Sequence, residues 1–222
     1  MASPDQFRYQ PFYGPEGRMT LVERALEAVA RGGLCIGLRF PRYAVVASMV
    51  RPVRKLIQPG EKIFKIDEHI GVTGAGYLSD LYKLVDQMRI EAQRHRLTYG
   101  TPIDVGSIVQ SVSEYFHSYT IYPVRPQGIS VIVAGADRLG VHLYQVDPSG
   151  TSFKGEAFAV GQESEKAIEE LELRYRQDMK EDEALQLILE VMKGAGAVEP
   201  LIQYGLVDGD RRYFEKKNHL GA

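Results

Sequence analysis

The side chains with the clearest capacity for chemistry in this sequence are one thiol and five histidines. Cys35 is the only cysteine and lies among leucine and isoleucine. That setting is typical of a buried, inert thiol, because a nucleophilic cysteine needs an accessible, electropositive environment. The histidines lack the spacing of metal ligands, so we expect no metal site, no cofactor and only structural or surface roles for His69, His95, His117, His142 and His219.

Lys62 begins a short apolar segment. Its local composition favours a solvated strand end, in a hairpin next to the first strand of the domain. The glycines of Gly74-Ala75-Gly76 could hold a phosphate, but a simple turn between a strand and a helix is the expected structure. The sequence contains no nucleophile elbow, Walker loop or dinucleotide fingerprint. Residue patterns alone therefore predict no catalytic group.

An amphipathic helix precedes the strand that contains Cys35. Thr20 and Glu23 have the spacing of a capping box, which predicts the start of the helix. Apolar residues then recur every three or four positions up to Val29. Gly32 and Gly33 predict its end, because glycine adopts the left-handed cap conformation without steric cost. A strand over 34–38 follows.

Strands and helices alternate in blocks along the rest of the chain. Alternating or continuous apolar runs predict strands over 44–50, 61–66, 69–73, 128–136, 141–146, 157–160, 201–207 and 212–214. Helical periodicity predicts helices over 78–95, 105–119, 163–178 and 182–193. Adjacent hairpins favour antiparallel sheets, and helix pairs with one apolar face favour a layer that covers each sheet. We therefore expect an α+β, four-layer αββα sandwich.

The bulk properties favour one large domain. The 222 residues suit a single domain over 18–222 after an extended arm over 1–17. A net charge of -2 gives no attraction to nucleic acid or to an anionic membrane. The first residues lack the basic and apolar regions of a signal peptide, so we expect none, and no apolar run approaches the roughly 18 residues that span a bilayer. With one cysteine, the expected compartment is the cytoplasm.

Motifs spread over nearly the whole chain after the arm resemble those of archaeal-like proteasome alpha-type subunits. The matching segments are Gly14-Pro15-Glu16-Gly17-Arg18, 21–32, Tyr99-Gly100, Tyr119-Thr120, Val124-Arg125-Pro126, Gly128, Ser130, Ala134-Gly135, Asp147-Pro148-Ser149-Gly150-Thr151 and Ala159-Val160-Gly161. The resemblance implies the fold of the N-terminal nucleophile (Ntn) hydrolases, which agrees with the four layers expected from the patterns.

The same resemblance implies a noncatalytic subunit of a threonine protease complex. Catalytic beta subunits use a processed N-terminal threonine, an acidic residue in the second strand and a lysine at the start of the third. The corresponding residues here are Gly33, Met49 and Lys62. The helix before Gly33 also implies that no free amine is exposed at that position.

The implied partners are other copies of the chain in a heptameric ring, a ring of beta subunits and an AAA-type ATPase activator. In alpha rings the lysine that matches Lys62 lies in a pocket between neighbouring subunits and pairs with the activator's terminal carboxylate. Gly76 and Glu23 match other residues around this pocket.

The gate is where the sequence departs from the family. The Tyr-Asp-Arg of the family's arm corresponds to Gln6, Phe7 and Arg8, and the tyrosine of the helix corresponds to Arg24; Arg8 and Pro15 are retained. Either other contacts, such as those of Phe7 and Tyr9, form the gate, or the chain is a divergent paralog that forms a ring or scaffold. A stand-alone Ntn hydrolase, with Cys35 or Thr20 exposed by processing, is the remaining alternative.

Overall fold

A computed structural model describes residues 19–50, 56–57, 59–121, 125–195 and 201–220. Over these residues the helices are α1 (Thr20–Ala30), α2 (Leu78–Tyr99), α3 (Val105–Ile121), α4 (Ser164–Arg174) and α5 (Glu181–Gly194). The strands are β1 (Cys35–Arg39), β2 (Tyr43–Val50), β3 (Ile63–Asp67), β4 (Ile70–Gly76), β5 (Ile129–Asp137), β6 (Gly140–Val146), β7 (Ser152–Lys154), β8 (Ala157–Val160), β9 (Leu201–Asp208) and β10 (Tyr213–Leu220).

The strands form two five-stranded antiparallel sheets. The first has the order β10-β9-β2-β1-β8 and the second the order β3-β4-β5-β6-β7. In the first sheet, Gly37 of β1 lies opposite Val46 on one side and Phe158 on the other. β5 lies at the centre of the second sheet and all nine of its residues are buried. This agrees with its nearly continuous apolar sequence.

Three apolar clusters divide the molecule into four layers. One cluster joins α2 and α3 to the outer face of the second sheet. Another joins α4 and α5 to the outer face of the first sheet. The third lies between the two sheets and includes Cys35, Ile132 and Phe214. The predicted αββα sandwich is therefore confirmed.

The predicted ends of α1 are wrong in their detail. The helix begins at Thr20, and Met19 is the N-cap without a side-chain capping bond. The Met19 carbonyl accepts hydrogen bonds from the amides of Val22 and Glu23, so Thr20 is already helical. At the other end, the cap residue Arg31 has a right-handed conformation. Neither glycine after it has a positive φ.

Two glycine-containing segments also differ from prediction. Gly74-Ala75-Gly76 is the last part of β4 and not a turn, because all three residues pair with β5. Helix α2 continues past the predicted residue 95 as far as Tyr99. It ends at Gly100, whose φ of 69° supplies the left-handed cap.

Helix α4 and strand β7 show the limits of periodicity. α4 ends at Arg174, four residues before its predicted end, because Tyr175 is extended and donates a hydrogen bond from its hydroxyl to the Arg39 carbonyl at 2.5 Å. β7 was not predicted. Its three exposed residues at the sheet edge carry no apolar alternation. Among the described residues, no helix has both the length and the apolar character needed to cross a bilayer.

Candidate functional site

Lys62, the residue just before β3, is buried in the structure with 6% of its surface exposed. Its Nζ donates hydrogen bonds to the Gly33 carbonyl at 2.9 Å and to Cys35 Sγ at 3.2 Å. The expectation of a solvated strand end is therefore wrong. The β3–β4 hairpin does not pair with β1 but belongs to the opposite sheet, so the lysine side chain reaches β1 from across the sandwich.

Gly33, just before β1, has no room for a side chain. An ideal Cβ there would lie 2.8 Å from the Met49 carbonyl oxygen and 3.4 Å from Lys62 Nζ. The three positions that correspond to the catalytic residues of beta subunits therefore converge in space. Met49 reaches this point with its backbone carbonyl, while its side chain packs in the apolar cluster under α4 and α5. Of the three catalytic residue types, only the lysine is retained.

Cys35 is fully buried beside Lys62. Its sulfur lies 3.3 Å from Ser48 Oγ and donates to the Gly74 carbonyl at 3.1 Å. Burial of this thiol agrees with the sequence expectation. The contact with Lys62 was missed, because the two residues are 27 positions apart in the chain and nothing local in the sequence links them.

The backbone at Gly76 is in close contact with the segment that follows α1. Gly76 has a φ of 125°, which side chains rarely adopt, and a Cβ there would collide with the Gly128 carbonyl. A Cβ on Gly32 would likewise collide with the Gly76 amide nitrogen. Gly32 is bonded to Gly33, whose carbonyl binds Lys62. The structure thus connects Lys62 and Gly76, two of the predicted pocket residues, through backbone in close contact.

The other predicted site residues lie apart from Lys62 or outside the described residues. Glu23 is half-buried in the first turn of α1, at the opposite end of that helix from Gly32, and Arg24 is exposed on the next position. Four of the five gate and reference-turn residues lie outside the described residues: Gln6, Phe7, Arg8 and Pro15.

An ion pair near Gly76 was missed by sequence reasoning. The Arg125 guanidinium donates to both carboxylate oxygens of Asp80 at 2.7 Å. Burial alone would raise the pKa of Asp80, but hydrogen bonds from Arg125, from the Gly128 amide and from Ser79 outweigh it and hold this pKa below its ordinary value. The sequence did contain a signal for a buried carboxylate at Asp80. This residue lies in the first turn of α2, next to buried Leu81 and on the same side of the helix as buried Leu84.

The described histidines have structural or surface positions. His142 Nε2 lies 2.8 Å from Asp137 Oδ1, and His69 Nε2 lies 2.8 Å from the Ile103 carbonyl. Among the described residues, no group of three His, Cys, Asp or Glu residues could hold a metal ion. A cavity of about 570 Å³ is lined in part by His69, Asp137 and Arg138, at the strand ends far from Lys62, and contains none of the predicted site residues.

Comparisons with known proteins agree with this geometry. Residues 29–202 match the family described as "Proteasome subunit". The chain is 37% identical over 213 residues to "Proteasome subunit alpha" of Methanopyrus kandleri, covering 92% of this chain and 87% of the relative. It is also 37% identical over 210 residues to the protein of the same name in Archaeoglobus fulgidus, covering 92% of this chain and 85% of the relative. Identity to "Proteasome subunit alpha 1" of Haloferax volcanii is 37% over 183 residues, or 81% of this chain and 73% of that protein. By this identity and coverage, the chain belongs to the proteasome subunit family and, within it, to the alpha subunits.

Proposed function

We propose that seven copies of this chain form a ring that caps a ring of proteolytic beta subunits in the cytoplasm. The ring controls the access of substrates, and an AAA-type ATPase docks on it during ATP-dependent protein degradation. Residues 1–17 form the arm at the pore, and residues 18–222 form the single domain that builds the ring.

The replacement of the nucleophile by Gly33 is the observation that carries this proposal. The alpha subunits to which the chain belongs are noncatalytic, and here the corresponding site has neither a hydroxyl nor the space for one. Helix α1 precedes this position and buries Val22, Ala25 and Val29 against the domain. An intact helix at that point leaves no free amine to activate a threonine.

The surroundings of Lys62 support the docking of an activator. Within the described part of the chain, no carboxylate forms an ion pair with this buried ammonium, whose partners are the Gly33 carbonyl and a thiol. The neighbouring surfaces at Gly32 and Gly76 are backbone. A lone ammonium beside half-buried peptide groups suits a terminal carboxylate, since charge-assisted hydrogen bonds are the strongest that such a group can form.

The native mass of the purified chain, alone and then with beta subunits from the same genome, tests the proposed assembly. We expect a mass near seven times the 24.9 kDa of one chain, without peptidase activity alone and with activity once beta subunits are added. A monomer, or an oligomer that ignores every beta subunit, would contradict the proposal and favour the divergent scaffold suggested by the altered arm.

The structure disfavours a stand-alone Ntn hydrolase. Cys35 is paired with strands on both sides and is fully buried, and Thr20 is the first residue of a helix. Release of either residue as a chain terminus requires cleavage of the Leu34-Cys35 or the Met19-Thr20 bond. Mass spectrometry that finds both bonds intact in active assemblies excludes this alternative.

A further inference from the structure

We infer that the Asp80–Arg125 ion pair positions the pocket around Lys62 in which we propose that a terminal carboxylate binds. The pair fixes the backbone at Gly128 and Tyr77, and this backbone in turn fixes the position of Gly76 near Lys62. The inference rests on the proposed docking of a terminal carboxylate at Lys62. It assigns to Asp80 and Arg125 a positioning role, in which neither residue contacts the ligand.

The ion pair is stronger than its exposed location suggests. The Arg125 side chain is 62% exposed, but the Asp80 side chain is only 7% exposed. Isolated surface pairs contribute little. Here two guanidinium nitrogens of Arg125 each donate to a different carboxylate oxygen of Asp80 at 2.7 Å. Such a bidentate pair with a buried acceptor fixes the segment around Arg125 relative to the start of α2.

The same carboxylate also holds the segment that follows Arg125. Asp80 Oδ2 accepts a hydrogen bond from the Gly128 amide at 2.9 Å. The Gly128 carbonyl in turn accepts one from the Tyr77 amide at 2.9 Å. The Gly128 peptide is thus held on both sides by groups at the start of α2.

Contacts then continue from Gly128 to Lys62. The carbonyl of Gly128 fills the space that a Cβ on Gly76 would occupy, and the Gly76 amide nitrogen fills the corresponding space at Gly32. Gly33 follows Gly32 in the chain, and its carbonyl accepts the hydrogen bond from Lys62 Nζ. Because these are contacts of backbone against backbone, a shift of Gly128 has no flexible side chain to absorb it.

A purely structural role for the pair predicts a different result. Asp80 lies in the first turn of α2, where a negative charge also stabilises the positive end of the helix dipole. If this were its whole contribution, loss of the pair would lower stability without a selective effect on carboxylate binding. The test therefore compares the effect of losing this pair on carboxylate binding with the effect of losing another arginine–carboxylate pair far from Lys62.

The experiment uses assembled rings and short fluorescent peptides with the C-terminal sequence of the proteasomal ATPase from the same genome. Each peptide is prepared with a free carboxylate and with a terminal amide. The variants are Arg125→Ala and Arg125→Lys. The control is Arg39→Ala, which removes an arginine–carboxylate pair at the far end of β1, where one guanidinium nitrogen of Arg39 donates to both carboxylate oxygens of Glu156.

We expect Arg125→Ala to weaken binding of the carboxylate peptide about tenfold and to leave binding of the amide peptide unchanged. Arg125→Lys gives an intermediate loss, since one ammonium cannot reproduce the two parallel hydrogen bonds. Arg39→Ala leaves the affinity of both peptides unchanged. In hydrogen exchange, the Tyr77 amide loses protection in Arg125→Ala and keeps it in Arg39→Ala.

Each other outcome overturns a defined part of the inference. Unchanged exchange at Tyr77 shows that the pair does not fix this backbone. Unchanged carboxylate affinity in Arg125→Ala, together with lost affinity in Lys62→Ala, overturns the positioning role but leaves docking at Lys62 intact. If wild-type rings bind both peptides equally, docking at Lys62 fails and the positioning role fails with it.

Discussion

At the scale of single residues, Lys62 combines features that favour function over stability. Its ammonium is buried and, among the described residues, has a carbonyl and a thiol as partners but no carboxylate. Removing a charge from water is costly unless an opposite charge compensates for it. A residue that is costly to the isolated subunit but suited to an incoming anion is typical of a binding site.

This argument predicts that Lys62→Met stabilises the subunit. The substitution keeps the approximate length of the side chain and removes the buried charge, so we expect the free energy of unfolding to rise by about 1 kcal/mol or more. Urea unfolding at a fixed protein concentration measures it. Lys166→Met, at an exposed lysine paired with Glu163, is the control and leaves the free energy unchanged. A destabilised Lys62→Met variant would show that the two hydrogen bonds outweigh the burial cost.

Gly33 gives the second prediction at this scale. The Gly33→Thr variant restores the hydroxyl of a beta subunit, but its Cβ lies 2.8 Å from the Met49 carbonyl. We expect a loss of about 1–3 kcal/mol in stability and no peptidase activity, because the residue follows Gly32 in an unbroken chain.

Unfolding curves and hydrolysis of a fluorogenic peptide check both parts of the Gly33 prediction. Gly106→Ala is the control, since a Cβ at this helical position meets only Tyr144 Oη at 3.7 Å. Peptidase activity in purified Gly33→Thr that survives a search for contaminating proteases would contradict the argument that a threonine without a free amine is inactive at this position.

At the scale of elements, the first turn of α3 is held by a carboxylate from β5. Asp137 accepts hydrogen bonds from the Val105 amide at 3.0 Å, from the Leu139 amide at 2.8 Å and from His142 Nε2 at 2.8 Å. Burial raises the pKa of Asp137, but the hydrogen bonds from Leu139, Val105 and His142 outweigh it and hold this pKa below its ordinary value. The folded state therefore favours the charged form.

The sign of the pH dependence follows from that depressed pKa. Asp137 contributes its full stability above the pKa that it has in the unfolded chain, and the contribution is lost as the pH falls through the folded pKa. We expect Asp137→Asn to cost about 2 kcal/mol at neutral pH and to flatten the acid limb of a plot of melting temperature against pH. Asp210→Asn, at an exposed carboxylate, leaves that limb unchanged. An equally steep acid limb in Asp137→Asn would contradict the assignment.

The elements also show what the sequence could and could not predict. Periodicity located all five helices and nine of the ten strands of the described residues, since each buries an apolar face. It missed β7, which buries nothing, and it mistook the end of β4 for a turn. The burial of Lys62 and the pairing of Asp80 with Arg125, 45 residues away, depend on contacts between elements that no local pattern records.

At the scale of the whole molecule, the two ends of the sandwich differ in what they offer to a partner. The antiparallel turn between β3 and β4 puts Lys62 at the same end as Gly76, together with the glycine-lined backbone and the start of α2. The opposite end lies about 20 Å away along β4 and carries the cavity near Arg138. If an activator docks at the Lys62 end, as we propose, the far end is the one available to a beta ring.

The proposed arm over residues 1–17 gives the last prediction, because its sequence departs from that of the family's gate at Gln6 and Phe7. If the arm obstructs the pore despite these changes, its deletion raises the hydrolysis of a short fluorogenic peptide by the assembled α and β rings several-fold. The proposed ring-forming domain is untouched, so the number of subunits in the assembly stays the same. The Arg24→Ala variant, with an exposed α1 side chain removed, separates a role of this helix from that of the arm. Equal hydrolysis with and without the arm, in rings with the same number of subunits, would show that this chain forms an open ring and would favour the divergent paralog over a gated protease.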